Sequence, residues 1–144
     1  MKVFKKHVMS AILLSAFIVL GAGSIETDRD ANNVANSQTD YVITANSLYQ
    51  AYNENQVAAD AKYGNKIIRV SGYIQMIGKD VMDIAYLVIG GEGFLDGVQC
   101  MFPESQENLV ASVSKGQYVT LKGRVSGQAF GNVVVRNCTF TSDN

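Results

Sequence analysis

Histidine supplies the imidazole of most hydrolytic catalytic groups and of many metal sites, and this 144-residue chain contains one, His7. Because His7 lies in a basic N-terminal segment that we expect to be cleaved, the mature chain offers no imidazole for a Ser-His-Asp or Cys-His group. Glu104 and Glu107 could formally act as a glycosidase-like carboxylate pair. They follow Pro103, where acidic side chains stabilise the N-terminus of a helix. The sequence therefore predicts no catalytic residues and a protein that is not an enzyme; a hydrolase without histidine is the weakest alternative.

Two further groups of residues have types that bind metal ions or phosphate. Carboxylates clustered around two predicted loops could offer oxygen atoms to Ca²⁺, but their spacing matches no EF-hand or calcium-binding repeat. They are Asp80, Asp83, Glu92 and Asp96. The glycine-rich segment GGEGFLDG lacks the Gly-Lys-Ser/Thr ending of a phosphate-binding loop. The sequence therefore predicts no metal site and no cofactor.

The N-terminal residues have the three parts of a secretory signal peptide. A basic head precedes an apolar run over residues 8–20, and small residues follow at 21–24. The run is shorter than the roughly 20 residues that span a bilayer, and Gly23 stands where a lipoprotein would carry cysteine. We therefore predict a signal peptide over residues 1–24, cleaved near residues 22–24, with no lipid anchor and no stable membrane span afterwards. The mature protein would be periplasmic or secreted in a bacterium, and retention of the signal as an anchor stays open.

The charge of the mature chain bears on its partners. The signal peptide takes three of the 12 Lys and Arg residues and none of the 13 Asp and Glu residues, so the mature net charge is −4. Nucleic-acid-binding proteins usually present a basic patch or stripe, because phosphate contacts dominate their affinity. The charge balance therefore argues against DNA or RNA as a partner.

The elements after the signal peptide divide by their apolar periodicity. Residues 25–44 are polar and have no sustained apolar period, which predicts a flexible spacer before a folded domain over 45–144. Residues 46–63 repeat apolar positions at three- and four-residue intervals, which predicts a helix capped near Thr44 or Asn46 and ended by Gly64.

Five strands follow, because the apolar period changes to two. We predict them at residues 67–77, 81–89, 98–102, 118–125 and 132–140, with a short helix after Pro103 and a bulge between Val135 and Cys138. Three strands, a helix and two strands form the element order of the OB-fold, a small Greek-key barrel. The predicted fold class is therefore mainly β: a five-stranded OB-fold barrel with an N-terminal helix and a short helix between the third and fourth strands.

Four segments of the sequence resemble a known family. They are LYQAYNENQVAADAKYGNKIIRVSGYIQMI, VQCMF, KGQYVTLKGRVSG and NVVVRNC, which together cover roughly Leu48 to Cys138. They resemble the tRNA-anti-like OB-fold family of exported bacterial proteins, many of which look like lipoproteins. The resemblance implies the OB-fold and, by analogy with anticodon-binding domains, an alternative function as an oligonucleotide-binding domain. The chain departs from the lipoprotein pattern at Gly23.

OB-folds usually bind ligands on the outer face of the second and third strands and on the adjoining loops. If the even-numbered residues 82–88 point inward, the outer face carries Asp83 and Leu87 from the second strand and Gln99 and Met101 from the third. Further candidates on the flanks and loops, which are otherwise ordinary surface residues, are Tyr73, Lys79 and Phe130. The outer face holds neither the cations nor the rings of a single-strand-binding surface. We therefore predict a non-enzymatic binding module for a protein, peptide or envelope component.

The two cysteines of the chain, Cys100 and Cys138, both lie in predicted strands. The third and fifth strands of an OB barrel are neighbours, so the two side chains can meet if both point inward. Export to an oxidising compartment favours a disulfide between them over two buried thiols. The ligand and the oligomeric state stay open.

Overall fold

The computed structural model describes residues 23–90 and 96–142, with side chains from residue 29 onward. Apart from its last two residues, the predicted signal peptide lies outside the described residues, as does most of the segment GGEGFLDG. The described part is mainly β, with a five-stranded barrel, one additional edge strand and four α-helices. The predicted fold class is confirmed.

Six strands form one sheet that closes on itself. They are β1 (Tyr41–Thr44), β2 (Ile67–Lys79), β3 (Ala85–Ile89), β4 (Val98–Met101), β5 (Tyr118–Ala129) and β6 (Asn132–Phe140). The barrel order is β2-β3-β4-β6-β5, and pairing of β5 with β2 closes it. β1 pairs in parallel with the first half of β2 and β3 pairs with the second half. One edge of the long strand β2 is therefore shared by two partners, which covers backbone groups that would otherwise be unpaired.

The segment predicted as a flexible spacer is ordered, so that prediction is wrong. Helix α1 (Gly23–Asn36) packs against β5 and β6, and β1 follows it. Ala31 and Val34 are buried, at 7% and 1% exposure. Lys122 Nζ donates hydrogen bonds to the carbonyl oxygens of Ala35, at 3.0 Å, and Ser37. The buried side chains of Ala31 and Val34, the Lys122 cation at the helix C-terminus and the pairing of β1 with β2 order this segment. So few apolar side chains leave no sustained apolar period in the sequence.

The predicted helix over residues 46–63 is two helices, α2 (Ala45–Glu54) and α3 (Gln56–Tyr63). Thr44 Oγ1 accepts the N–H of Ser47 at 3.2 Å and begins α2. Asn55 is extended, and its Oδ1 accepts the N–H of Ala58 at 3.0 Å, so it ends one helix and begins the next. The predicted cap at Thr44 and the end at Gly64 are confirmed.

The barrel core follows the alternation that the sequence predicts for four of its five strands. The core side chains on these strands are Ile68, Val70, Ile74, Val98, Cys100, Val119, Leu121, Val125, Val133, Val135 and Cys138. Phe102, which follows β4, also lies in this core. The predicted bulge in the last strand is present, with Asn137 at φ +54°.

The predicted face of the second strand is wrong. Residues 80–84 form a turn, and β3 begins only at Ala85. Leu87 is fully buried opposite Cys100, whereas Tyr86 and Val88 pair with Met101 and Gln99. Because strand side chains alternate, this register turns Leu87 from the outer face into the core.

A short helical segment joins β4 to β5, as predicted. A 3₁₀ turn over Glu104–Gln106 leads into α4 (Glu107–Ser112), whose Val110 is buried. The carboxylates of Glu104 and Glu107 lie in the first turns of these elements. The arrangement brings both carboxylates to one end of β4.

Both cysteines are buried free thiols, so the predicted disulfide is not formed in this structure. Cys100 pairs in register with Val135, and Cys138 lies three residues further along β6, beyond the bulge. Burial, followed by the neighbouring Cys100 thiol, raises the pKa of the Cys138 thiol well above its usual value. The two side chains do meet inside the barrel, but as free thiols.

Candidate binding cleft

A cleft of about 660 Å³ lies on the outside of the barrel where three connecting segments and two strands approach each other. Its sides are the β2–β3 turn, the start of the helical segment after β4 and the tip of the β5–β6 hairpin, and its floor is the outer side of β4 and β6. The lining also contains Ala85, the first residue of the second barrel strand, so the cleft combines parts of the second and third barrel strands with loops through which OB-folds commonly bind ligands. Its volume is within the range of small-ligand sites.

The β2–β3 turn is held by one carboxylate. Asp80 Oδ1 accepts the backbone N–H groups of Met82 at 2.9 Å and Ile84 at 3.0 Å. Asp83 adopts φ +64°, a conformation that Asp tolerates better than most residues. The turn therefore presents an exposed Met82 side chain and the Asp83 carboxylate at the cleft.

An ion-paired lysine links this turn to α4. Lys79 Nζ lies 3.2 Å from Asp83 Oδ1 and 2.7 Å from Glu107 Oε1. Hydrogen bonding to Glu107, and then to Asp83, raises the pKa of Lys79 above its ordinary value. Asp83 and Glu107 both line the cleft, and Lys79 reaches them from the end of β2.

The floor combines an amide with a thioether. Gln99 Nε2 lies 3.2 Å from Met101 Sδ, and Gln99 Oε1 lies 3.4 Å from Asn132 Nδ2. Both Gln99 and Met101 are half-buried on the outer side of β4. Methionine side chains adapt to ligands of different shape, which suits this position to an apolar group.

Phe130 forms the far side of the cleft in an unfavourable conformation. It is fully exposed and has φ +50° in the two-residue turn between β5 and β6. The next residue, Gly131, has φ +86°, and a turn with two positive φ angles is usually made by Asn-Gly or Asp-Gly. A bulky residue in this region costs roughly 1–2 kcal/mol. The hairpin therefore displays an aromatic ring at the cleft at the expense of stability.

The charges around the cleft are mostly negative. The lining contains one guanidinium, Arg136, and four carboxylates: Asp80, Asp83, Glu104 and Glu107. Arg136 Nε donates to Ser126 Oγ at 3.2 Å on the β6 side. The opposite side, near the turn and α4, is acidic.

The structure brings together four of the seven predicted ligand-binding residues. Asp83, Gln99, Met101 and Phe130 line the cleft, and Lys79 lies at its edge. Leu87 belongs to the core and cannot contact a ligand there. Tyr73 lies elsewhere, in an edge-to-face contact with Tyr118 at 5.0 Å.

Several cleft residues were not predicted as ligand contacts. Among them, Glu107 is interpreted from the sequence as a helix-stabilising acid, Met82 is predicted inside the barrel, and Arg136 is given no role. Asp80 was the sequence signal that could have placed Met82 in a turn, because an Asp side chain that accepts hydrogen bonds from the following backbone N–H groups favours a turn.

Residues 23–90 and 96–142 contain no group of three or more His, Cys, Asp or Glu side chains arranged for a metal ion. None of the helices in these ranges has the length and hydrophobicity needed to cross a membrane.

A family model named tRNA_anti-like matches residues 1–139, almost the whole chain. This protein belongs to the tRNA_anti-like family. The match confirms the resemblance inferred from its strand segments. A comparison of the tRNA_anti-like chain with curated protein sequences gave no significant match.

Solved structures similar to this tRNA_anti-like protein include a lipoprotein from Klebsiella pneumoniae subsp. pneumoniae, for which nucleic-acid binding has been proposed. It is 19% identical, with a TM-score of 0.56, over 77% of this chain and 97% of that one. The structure of a proposed aspartyl-tRNA synthetase from Leishmania major gives a TM-score of 0.47 at 11% identity, over 71% of this chain and 20% of that one. The structure of an OBody bound to hen egg-white lysozyme gives a TM-score of 0.42 at 16% identity, over 53% of this chain and 83% of that one. At these identities the Klebsiella protein shares the fold.

Proposed function

We propose that this protein is an exported, non-enzymatic binding module that holds a peptide segment or a protein partner in the cleft. The exposed Phe130 ring in its unfavourable turn is the observation that carries the proposal. Backbone strain of this kind tends to be retained where it serves a function. A protein or peptide ligand can cover the exposed Phe130 and Met82 side chains, and their burial from water would stabilise the complex.

An oligonucleotide is the alternative that the family name and the Klebsiella relative suggest. The cleft does not favour it, because its carboxylates would repel phosphate groups and Arg136 is the one cation of its lining. Phe130 is the one aromatic ring that extends into solvent there, whereas single-strand binding typically combines several stacking rings with a cationic groove.

Photocrosslinking in the exporting cell tests the proposal. Benzoylphenylalanine would replace Phe130 at the cleft or, as a matched control, Val57, which is exposed on α3 and is not part of the cleft lining. We expect a discrete crosslinked protein from position 130 and none from position 57. Identical crosslinks from both positions, or crosslinks to nucleic acid from position 130, would contradict the proposal.

A direct oligonucleotide titration complements the crosslinking. Fluorescence anisotropy of labelled single-stranded DNA and RNA with the mature protein should show no micromolar binding at physiological salt. Binding that weakens steeply as salt rises would instead favour the oligonucleotide function.

A further inference from the structure

We propose that the cleft recognises a peptide segment carrying a lysine or arginine beside an apolar side chain, and that Lys79 occupies the place of the ligand's cation in the free protein. This inference rests on the proposed function. It adds the chemical class of the ligand and a competing contact within the chain.

The geometry of Lys79 is the first support. Its Nζ lies between carboxylates from two separate elements, at 3.2 Å from Asp83 in the β2–β3 turn and at 2.7 Å from Glu107 in α4. Both carboxylates line the cleft. Because the Asp83 and Glu107 side chains are 83% and 40% exposed, a cation arriving from the cleft can reach them.

The charge balance is the second support. The lining has four carboxylates and one guanidinium, so two negative charges are in excess even when Lys79 is counted. Asp80 is already committed to the N–H groups of its turn, whereas Glu104 is exposed at the start of the 3₁₀ segment. An incoming cation therefore meets a favourable field on the acidic side, and an acidic peptide or a phosphate polymer would be repelled.

The apolar lining is the third support. Met82 and Ile84 in the turn, Met101 on the floor and Phe130 on the far side all line the same cleft. Thioether and aromatic surfaces of this kind accept apolar side chains of various shapes. A segment with an apolar residue next to a cationic one would place the first against these groups and the second against Asp83 and Glu107.

The free protein then holds its recognition carboxylates in an internal ion pair. Exposed ion pairs contribute little to stability, so a ligand can displace Lys79 at small cost. Removing the Lys79 ammonium should therefore increase the affinity for a cationic ligand, and removing the Glu107 charge should decrease it. A purely structural ion pair would give no such opposite effects.

Three blocked pentapeptides would serve as probes: acetyl-Ala-Leu-Arg-Leu-Ala-amide and its versions with Gln or Glu in place of Arg. Binding would be measured by chemical-shift titration of the mature protein and of four variants: Lys79→Met, Glu107→Gln, the double variant, and Lys115→Met as an exposed control on another loop. Thermal unfolding of each variant would verify that it is folded. We expect shifts at Met82, Gln99 and Phe130 with the Arg peptide.

The expected changes are modest and of opposite sign. Lys79→Met should tighten Arg-peptide binding about threefold and Glu107→Gln should weaken it about threefold, which matches the strength of exposed ion pairs. The double variant should not show the tighter binding of Lys79→Met, and Lys115→Met should leave the affinity for the Arg peptide unchanged. The Gln peptide should bind more weakly than the Arg peptide, and the Glu peptide more weakly still.

The outcomes separate this inference from the proposed function. If the Gln peptide binds the cleft as tightly as the Arg peptide, or if folded Lys79→Met binds the Arg peptide more weakly, the cationic specificity is wrong and the peptide-binding function stands. If none of the three peptides shifts the cleft residues and the crosslinking at position 130 also fails, the proposed function itself is wrong.

Discussion

The side chain of Leu87 lies opposite Cys100 on the neighbouring antiparallel strand, inside the barrel. The adjacent pair, Tyr86 and Met101, therefore lies on the outer side, where Met101 forms part of the cleft floor. One register thus decides both which residue packs the core and which residue can meet a ligand.

The register predicts a contrast between Leu87→Ala and Met101→Ala. Leu87→Ala opens a cavity in the core and should lower the free energy of unfolding by about 2–5 kcal/mol. Met101→Ala removes a half-buried side chain and should cost about 1 kcal/mol. Urea unfolding of both variants measures the difference, and equal losses would contradict the register of β3.

Phe130→Asn should stabilise the fold and weaken ligand binding. Asn-Gly suits a two-residue turn with two positive φ angles, so the free energy of unfolding should rise by about 1 kcal/mol. Chemical denaturation measures this gain, with Val42→Asn as a control at an exposed strand position without positive φ. A loss of stability in Phe130→Asn would argue against strain in the hairpin.

Lys122→Met should release α1 while the barrel stays folded. The variant removes the hydrogen bonds from Lys122 Nζ to the carbonyl oxygens of Ala35 and Ser37. Hydrogen exchange should therefore accelerate over residues 31–37 and change little in β2 and β5, since local opening does not require global unfolding. Unaltered exchange in α1 would mean that the apolar contacts of Ala31 and Val34 suffice.

The buried Cys138 thiol should make the fold sensitive to alkaline pH. The raised pKa of Cys138 keeps its thiol protonated in the folded state, whereas an unfolded cysteine ionises near pH 8.5. Stability from this group is therefore complete below about pH 8.5 and decreases as the pH rises further. Urea unfolding between pH 7 and 10 should show the decrease, and Cys138→Ala should show less of it.

Thiol counting addresses the cysteines directly. Because both thiols are buried and free, two groups per chain should react after unfolding without reductant, and reaction in the native state should be slow. A count of zero, with an intramolecular link in peptide maps, would instead support the disulfide predicted from the sequence.

The sequence by itself determined the fold class, because β-alternation and capping are local patterns. Val98, Cys100 and Phe102 alternate inward as their spacing predicts, and Thr44 and Gly64 bound the helical region as their types predict. The cleft residues Gln99 and Phe130 were also within reach, since OB-folds bind through known strands and loops.

Only the tertiary structure decided how the cleft is assembled. Glu107 pairs with Lys79 across 28 positions of sequence. Residues 80–84 form a turn instead of the start of a strand, because the Asp80 N–H donates to the Ile84 carbonyl and the Asp83 N–H donates to the Asp80 carbonyl. Such long-range pairs and turn registers leave no periodicity in the chain. For the same reason the sequence of α1 predicts a spacer. The helix is ordered by its contact with β5 and β6, to which Val34 and Lys122 contribute, and these contacts exist only once the barrel has closed.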